Sequence, residues 1–257
     1  MKRSVISPSI SLLFSLLVFA LFSGCAGTTQ HVTRTVDYLY PDTKAPIVTP
    51  SVPVLTLPLR VGIAFVPGGG GENIRYGGGF HPGTFVLTEE KKMALMQEVA
   101  DHFGKYTFIR DITLIPSADL TRGGSFANLD QIRATRNVDV IALLSFDQVQ
   151  FTDEGAASLT YWTLIGAYIV PGEKNETHTL LDAVVYDIKS RKMLFRAPGT
   201  SVIKSSSTPV NLSEQLRASS DQGFNRAAKD MIVNLDEQLA RFREKARENP
   251  AEFKVVK

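Results

Sequence analysis

Leu59-Arg60-Val61-Gly62-Ile63-Ala64-Phe65-Val66, set between Pro58 and Pro67, is the stretch from which the fold is read. A short, nearly continuous apolar run closed by prolines is the pattern of a strand buried on both faces, since each proline removes a backbone donor and ends the ladder. Downstream, Thr88 is placed to cap a helix, with Glu89 and Glu90 in its first turn. Met93, Met96, Ala100 and Phe103 then fall on one helical face before Gly104. A second strand is expected over 108–115, a short helix capped by Asn128 over 128–136, and a long apolar strand over 138–151. Strands and helices alternating at this spacing argue for an α/β sheet.

Beyond residue 151 the pattern changes. Apolar segments at 158–170 and 177–187 are separated by Pro171-Gly172-Glu173-Lys174-Asn175-Glu176, and a short one at 193–196 follows Lys189-Ser190-Arg191-Lys192. Turn chemistry between strands implies antiparallel hairpins. The last third reads as one helix, with Asn211 as cap and Glu214 reaching back to it. Leu212, Leu216, Phe224, Ala228, Met231, Leu235, Leu239, Phe242 and Ala246 form its apolar stripe. Extending to Asn249 it is about 55 Å long at 1.5 Å per residue, so it is expected to bend near Gly223 or to project. The expected architecture is mixed α/β (α+β), a single three-layer-like domain over 59–210. The long helix over 211–249 packs on it, and 250–257 form a tail.

Ahead of the domain, Lys2 and Arg3 precede an apolar run over 10–22 and then Leu21-Phe22-Ser23-Gly24-Cys25. Charged residues, a short apolar stretch and small residues before a cleavage point make a signal peptide, here 1–24. The run is 13 residues, whereas a helix that crosses a bilayer needs about 20. Cys25 is the only cysteine in 257 residues and sits where a lipoprotein accepts its diacylglycerol, although Phe22 stands where such sites usually carry Leu. Two or three acyl chains make a stable anchor where one is marginal. Ala26, rather than Asp, follows the cysteine, which favours the outer membrane, facing the periplasm of a Gram-negative bacterium. Residues 25–58, with Pro41, Pro46, Pro50, Pro53 and Pro58, are expected to be a Pro/Thr-rich extended tether. Within it, Val36-Asp37-Tyr38-Leu39-Tyr40-Pro41 is apolar enough to dock.

Removing the leader takes the 28 basic residues to 26, equal to the acidic ones. That balance gives no electrostatic footprint for nucleic acid. With Cys25 acylated, no intrachain disulfide is available, so the apolar core must stabilise the fold alone.

Catalytic patterns mostly fail on spacing. The glycine-rich segment 68–79 lies between a strand and a helix, where α/β proteins place ligands. It has neither dinucleotide spacing nor a following Gly-Lys-Ser/Thr. Arg75, Tyr76 and His81 are its candidate ligand or partner residues. Ser201-Val202-Ile203-Lys204 matches Ser-x-x-Lys, but a strand points positions i and i+3 to opposite faces. Ser125 lacks the glycine frame of a nucleophile elbow. His31, His81, His102 and His178 are scattered without metal-ligand spacing, so no metal and no cofactor is indicated. Asp147, Asp153 and Glu154 near one strand end read as solvated acids, and Tyr161, Trp162 and Tyr168 as core.

Several longer runs carry a resemblance. Leu57-Pro58-Leu59-Arg60-Val61-Gly62-Ile63-Ala64-Phe65-Val66-Pro67, Phe126-Ala127-Asn128-Leu129-Asp130-Gln131-Ile132-Arg133 and Leu181-Asp182-Ala183-Val184-Val185-Tyr186-Asp187 are among them. So are Asp139-Val140-Ile141-Ala142-Leu143, Ser158-Leu159-Thr160-Tyr161-Trp162-Thr163 and Phe195-Arg196-Ala197-Pro198-Gly199-Thr200. These runs resemble the rhombotarget lipoproteins over nearly the whole mature chain. The resemblance implies a link to rhombosortase, an intramembrane protease acting on proteins with a Gly-Gly tail, an apolar span and basic residues. The final residues Pro250-Ala251-Glu252-Phe253-Lys254-Val255-Val256-Lys257 depart from that pattern. The order of elements is also similar to the α/β domain of the TolB amino-terminal region, the curli-secretion lipoprotein and the lipoprotein activator of penicillin-binding proteins. Fold likeness of that kind leaves function open. The expected function is a lipid-anchored, non-enzymatic module that binds an envelope protein partner in assembly, secretion or surface-protein maturation. An oligomeric export or pore component is the alternative, and an envelope hydrolase the next.

Overall fold

The computed structural model describes residues 27–32, 34–41, 49–68, 87–154, 173–207 and 210–256. Eight strands and four α-helices follow in order: β1 Gly27–Val32, α1 Thr35–Leu39, β2 Val54–Thr56, β3 Leu59–Phe65, α2 Glu89–Phe103, β4 Ile109–Ile115, α3 Ser125–Arg136, β5 Val140–Glu154, β6 Glu173–Asp187, β7 Lys192–Ser207, α4 Leu212–Glu248 and β8 Lys254–Val256. The main sheet runs β4-β3-β5-β6-β7. β3 is parallel to both β4 and β5, while β5, β6 and β7 form antiparallel hairpins. This is a mixed α/β fold, with the alternation first and the hairpins second.

Alternation along β5 explains the three layers. Val140, Ala142, Leu144 and Phe146 belong to the core under α2 and α4. Ile141 and Leu143 belong to the core shared with α1 and α3. A strand buried on both faces must be apolar at every position, and this one is until Ser145. Thr88 caps α2 as expected, its hydroxyl accepting from Lys91 N at 3.3 Å. Glu89 accepts from Ser117 N at 2.8 Å and ties that cap to the segment after β4.

The long helix is not interrupted at Gly223, where a bend is expected. α4 is continuous through Gly223, and β5, β6 and β7 are 15, 15 and 16 residues long. At about 3.3 Å per residue these strands reach about 50 Å, which matches a 37-residue helix of about 55 Å. Gly223 serves close approach instead: a Cβ there would sit 2.6 Å from Thr179 Oγ1.

Four further expectations are corrected. Asn128 does not cap α3, which starts after Gly124. Its amide lies inside the fold, accepting from Tyr38 OH and Thr121 N, both at 2.8 Å. Asn211 makes no side-chain capping bond. Stretches of segment 25–58 are built into the fold rather than extended from it. β1 pairs antiparallel with β5, from Gly27↔Thr152 to Val32↔Asp147. α1 buries Tyr38 and Leu39, and burial pushes the Tyr38 phenol well above its usual pKa. β2 pairs in parallel with β8, so the carboxyl-terminal residues also belong to the domain, with Phe253 in the core.

Finally, β7 runs past 193–196 as far as Ser207, through Pro198-Gly199. As an edge strand it tolerates proline, whose missing donor faces outward. Helix α4 then satisfies that edge: Asn234 Nδ2 donates to Pro198 O at 2.6 Å and Thr200 N donates to Asp230 at 2.8 Å. At Gly199 helix and strand backbones meet, and a Cβ would fall on Ala227 O and Met231 N.

Candidate functional site

Cys25, Arg75, Tyr76, His81, Tyr161, Trp162 and Tyr168 lie outside the described residues, as do the expected strand over 158–170 and most of the glycine-rich segment. Ser201 and Lys204 are described, and β7 sends them to opposite faces. The Ser201 hydroxyl is buried without a partner on the α4 side, 3.6 Å from where a Cβ on Gly223 would be. Lys204 is on the other face, paired with Glu176 at 3.0 Å. No serine–lysine dyad forms. Ser125 opens α3 at φ 56°, and its hydroxyl accepts from Ala127 N at 3.4 Å. Asp147 is half-buried, and Asp153 and Glu154 pair by backbone with Lys174 and Glu173. His178 contacts Glu176 at 3.2 Å. Among the described residues no three His, Cys, Asp or Glu side chains gather as a metal site.

Two constellations emerge that the local patterns did not mark. The first is a polar layer under the first turns of α4, at the end of the sheet where β1 begins. Gln148 Nε2 donates to Thr179 Oγ1 at 2.8 Å and to Ser220 O at 3.2 Å. Gln150 Nε2 donates to Ser220 Oγ at 2.8 Å and to Leu216 O at 3.0 Å. Asn175 Nδ2 donates to Ser207 Oγ at 2.8 Å, and Ser219 Oγ to Ser205 Oγ at 3.1 Å. The amide oxygen of Asn175 is buried without a partner. A signal for this layer existed: over the same rungs β5 and β6 turn polar on their α4-facing positions, β7 does so at Ser201, Ser205 and Ser207 around an apolar Ile203, and α4 does so at Ser219 and Ser220.

On the other face of this distal sheet, Glu176, His178, Val202 and Lys204 form a surface on which no described helix packs, Val202 being 49% exposed. The hydrogen bonds from Lys204 and His178, with their charges, hold the Glu176 carboxyl below its usual pKa.

The second constellation is a cavity of about 460 Å³ at the opposite end, between the sheet, α2 and α4. Leu59 and Val61 of β3, Val99 of α2 and Leu239 of α4 contribute to its wall, and Leu55 and Val255 of the β2–β8 ribbon also reach it. Every lining side chain is apolar except Arg243 and Arg247. Close by, Asp236 accepts from Tyr106 OH at 2.8 Å and meets His102 Nε2 at 2.6 Å, fastening α4 to the end of α2. Burial pushes the Asp236 carboxyl up, but the bonds from His102 and Tyr106 and the charges of His102 and Lys105 outweigh it, leaving the pKa lowered. The same bond to Asp236, then burial, raises the Tyr106 phenol.

No family model matches the chain, and no curated protein matches it. The rhombotarget resemblance therefore rests on the residue runs alone. Among solved structures, a dodecameric PelC variant from Paraburkholderia phytofirmans is similar, at 13% identity over 74% of this chain and 91% of that one, with a TM-score of 0.27. A score of that size carries no functional inference. No helix among the described residues is long and apolar enough to cross a membrane.

Proposed function

We propose that this protein is a lipid-anchored envelope module that binds a protein partner at the membrane surface rather than turning over a substrate. One observation carries the reading: β1 begins at Gly27, two residues after Cys25, and pairs with the far end of β5 through Gly27↔Thr152. At 3.3–3.6 Å per residue, the acylated residue stands within about 7 Å of the sheet. An anchor there holds the distal end of β5–β7 against the membrane instead of letting the domain roam on a long tether. The open face of that end, with Val202, Lys204, Glu176 and His178, is then the surface closest to envelope partners. Ser201 and Lys204 on opposite faces supply no nucleophile for the hydrolase reading. Assembly, secretion and rhombosortase-linked maturation at the outer membrane are the settings that fit.

Metabolic labelling with alkynyl palmitate, comparing the natural protein with Cys25→Ser, tests the anchor. Label and membrane partition should vanish together in the variant; retained label would overturn it. A photocrosslinker at Val202 tests the partner face in cells with and without rhombosortase. One reproducible envelope adduct, lost in Lys204→Glu, is expected, and repeated absence of any adduct counts against partner binding. The export-component alternative is separated by the mass of the Cys25→Ser protein in solution, where a closed ring would favour it over the monomer expected here.

A further inference from the structure

We infer that the cavity between β3, α2 and α4 is a binding site for one long acyl chain with an anionic head group, the chain inside and the head group on Arg243 and Arg247. Protein interiors pack as densely as organic crystals, with few voids larger than a water. A volume of about 460 Å³ lies within the 300–1,000 Å³ usual for small-molecule sites. At ~30 Å³ for a water-sized group, it takes on the order of fifteen methylenes, one chain rather than two. Its wall offers water no hydrogen bonds apart from the two guanidinium groups, so an aliphatic chain is the chemistry that fits.

The head group follows from charge. Arg243 and Arg247 are four residues apart on α4 and so share a helix face. Both are exposed at the lining of an otherwise apolar cavity. Neither forms an ion pair among the described residues, and no acid lines the cavity. The Arg243 guanidinium lies 5.0 Å over the Phe108 ring, which holds it at the cavity. Two adjacent guanidinium forks suit a carboxylate or a phosphate, and a cation at the end of an apolar slot selects an anionic amphiphile over a neutral one.

The protein's own anchor does not suit this site. Its chains would be esterified to glycerol on Cys25 and carry no anion for Arg243 and Arg247. Leu144, the cavity-lining residue of β5 nearest to β1, is also eight residues from Thr152, where Gly27 pairs, which is about 26 Å of strand. The inference therefore stands whether or not Cys25 is acylated.

The test is binding of cis-parinaric acid, a fluorescent long-chain carboxylate, to the purified mature protein, with palmitate, palmitoyl-lysophosphatidylglycerol and neutral monopalmitoylglycerol as competitors. One saturable site is expected, displaced by either anionic competitor and about tenfold less well by the neutral one. The stronger anionic competitor tells a fatty acid from a phospholipid source. Arg243→Ala with Arg247→Ala should weaken binding about tenfold or more while thermal unfolding stays unchanged. Leu239→Trp should fill the cavity and abolish binding; should that variant fail to fold, the arginine pair decides. Absence of saturable binding, equal displacement by the neutral competitor, or unchanged affinity in the folded double variant overturns the proposal.

Discussion

Helix α4 lies on the sheet along its full length, but its two halves do so by different chemistry. From Phe224 to Phe242 it buries Ala227, Ala228, Met231, Ile232 and Leu235 against Leu181, Ala183, Val185 and Ala197, with the Phe242 ring tilted against Phe195 and edge-on to Phe253 at the end. From Leu216 to Gly223 it instead lays Ser219, Ser220 and Gly223 on Gln148, Gln150, Thr179 and Ser205. Apolar contact is non-directional, and the proximal half tolerates a cavity beside it. Buried polar contact is directional and costly when unmet, so the distal half fixes the rung at which helix and strands meet. Small side chains there let the backbones approach, while the edge of β7 is sealed from the apolar half by Asp230 and Asn234.

Gly199, packed on Ala227 and Met231 in the apolar half, gives the sharpest way to break this contrast. Gly199→Val drives a side chain into the α4 backbone and should cost about 3 kcal/mol or more, the upper range for overpacking, read as a lowered thermal midpoint. In the apolar half, fully buried Met231 changed to Ala should cost about 3 kcal/mol, within the 2–5 of such truncations. A loss below about 1 kcal/mol would mean the proximal half is looser than its packing indicates.

In the polar half, Gln150→Ala should cost about 2 kcal/mol by urea unfolding, because it removes a second donor to the Leu216 carbonyl and takes the amide partner from the buried Ser220 hydroxyl. Combining it with Ser220→Ala should cost less than the two separate losses, as expected for partners in one network. Ser201→Ala should act in the opposite direction, gaining about 1 kcal/mol by removing a buried hydroxyl without a partner. Destabilisation there would show that the hydroxyl is satisfied.

The smallest effect concerns the fastener beside the proximal half. Because the Asp236 carboxyl is lowered in the folded protein, its contribution is present above the unfolded value of about 3.9 and is lost as pH falls through the folded one. Thermal midpoints of the natural protein should thus drop more steeply below about pH 5 than those of Asp236→Asn. Parallel acid profiles would remove Asp236 from the account.

Much of this architecture was legible residue by residue. Proline-bounded β3, the Thr88 cap, the turn between β6 and β7 and the parity that separates Ser201 from Lys204 all follow from local patterning, whereas Glu173–Glu176, read as turn, belong to β6. Other parts were not. The run Gly27-Thr28-Thr29-Gln30-His31-Val32 has no apolar alternation and becomes a strand because β5 offers it backbone partners. Pro198-Gly199 reads as a break until β7 is known to be an edge. Asn128 looks like a cap until Tyr38, ninety residues earlier, arrives at its amide.

By itself, then, the sequence determined the main helices and strands of the domain and which of their faces are buried. It also determined that one cysteine follows a short apolar run. These are local quantities, set by a period of 2 or 3.6 along the chain. Only the tertiary structure decided that residues 27–32 pair, as β1, with the distal end of β5. It alone decided that the polar rungs of three strands meet the serines of α4, and that a cavity with two arginines at its lining remains at the other end. Each depends on the register between elements distant in sequence, and periodicity within one element carries no information about that register.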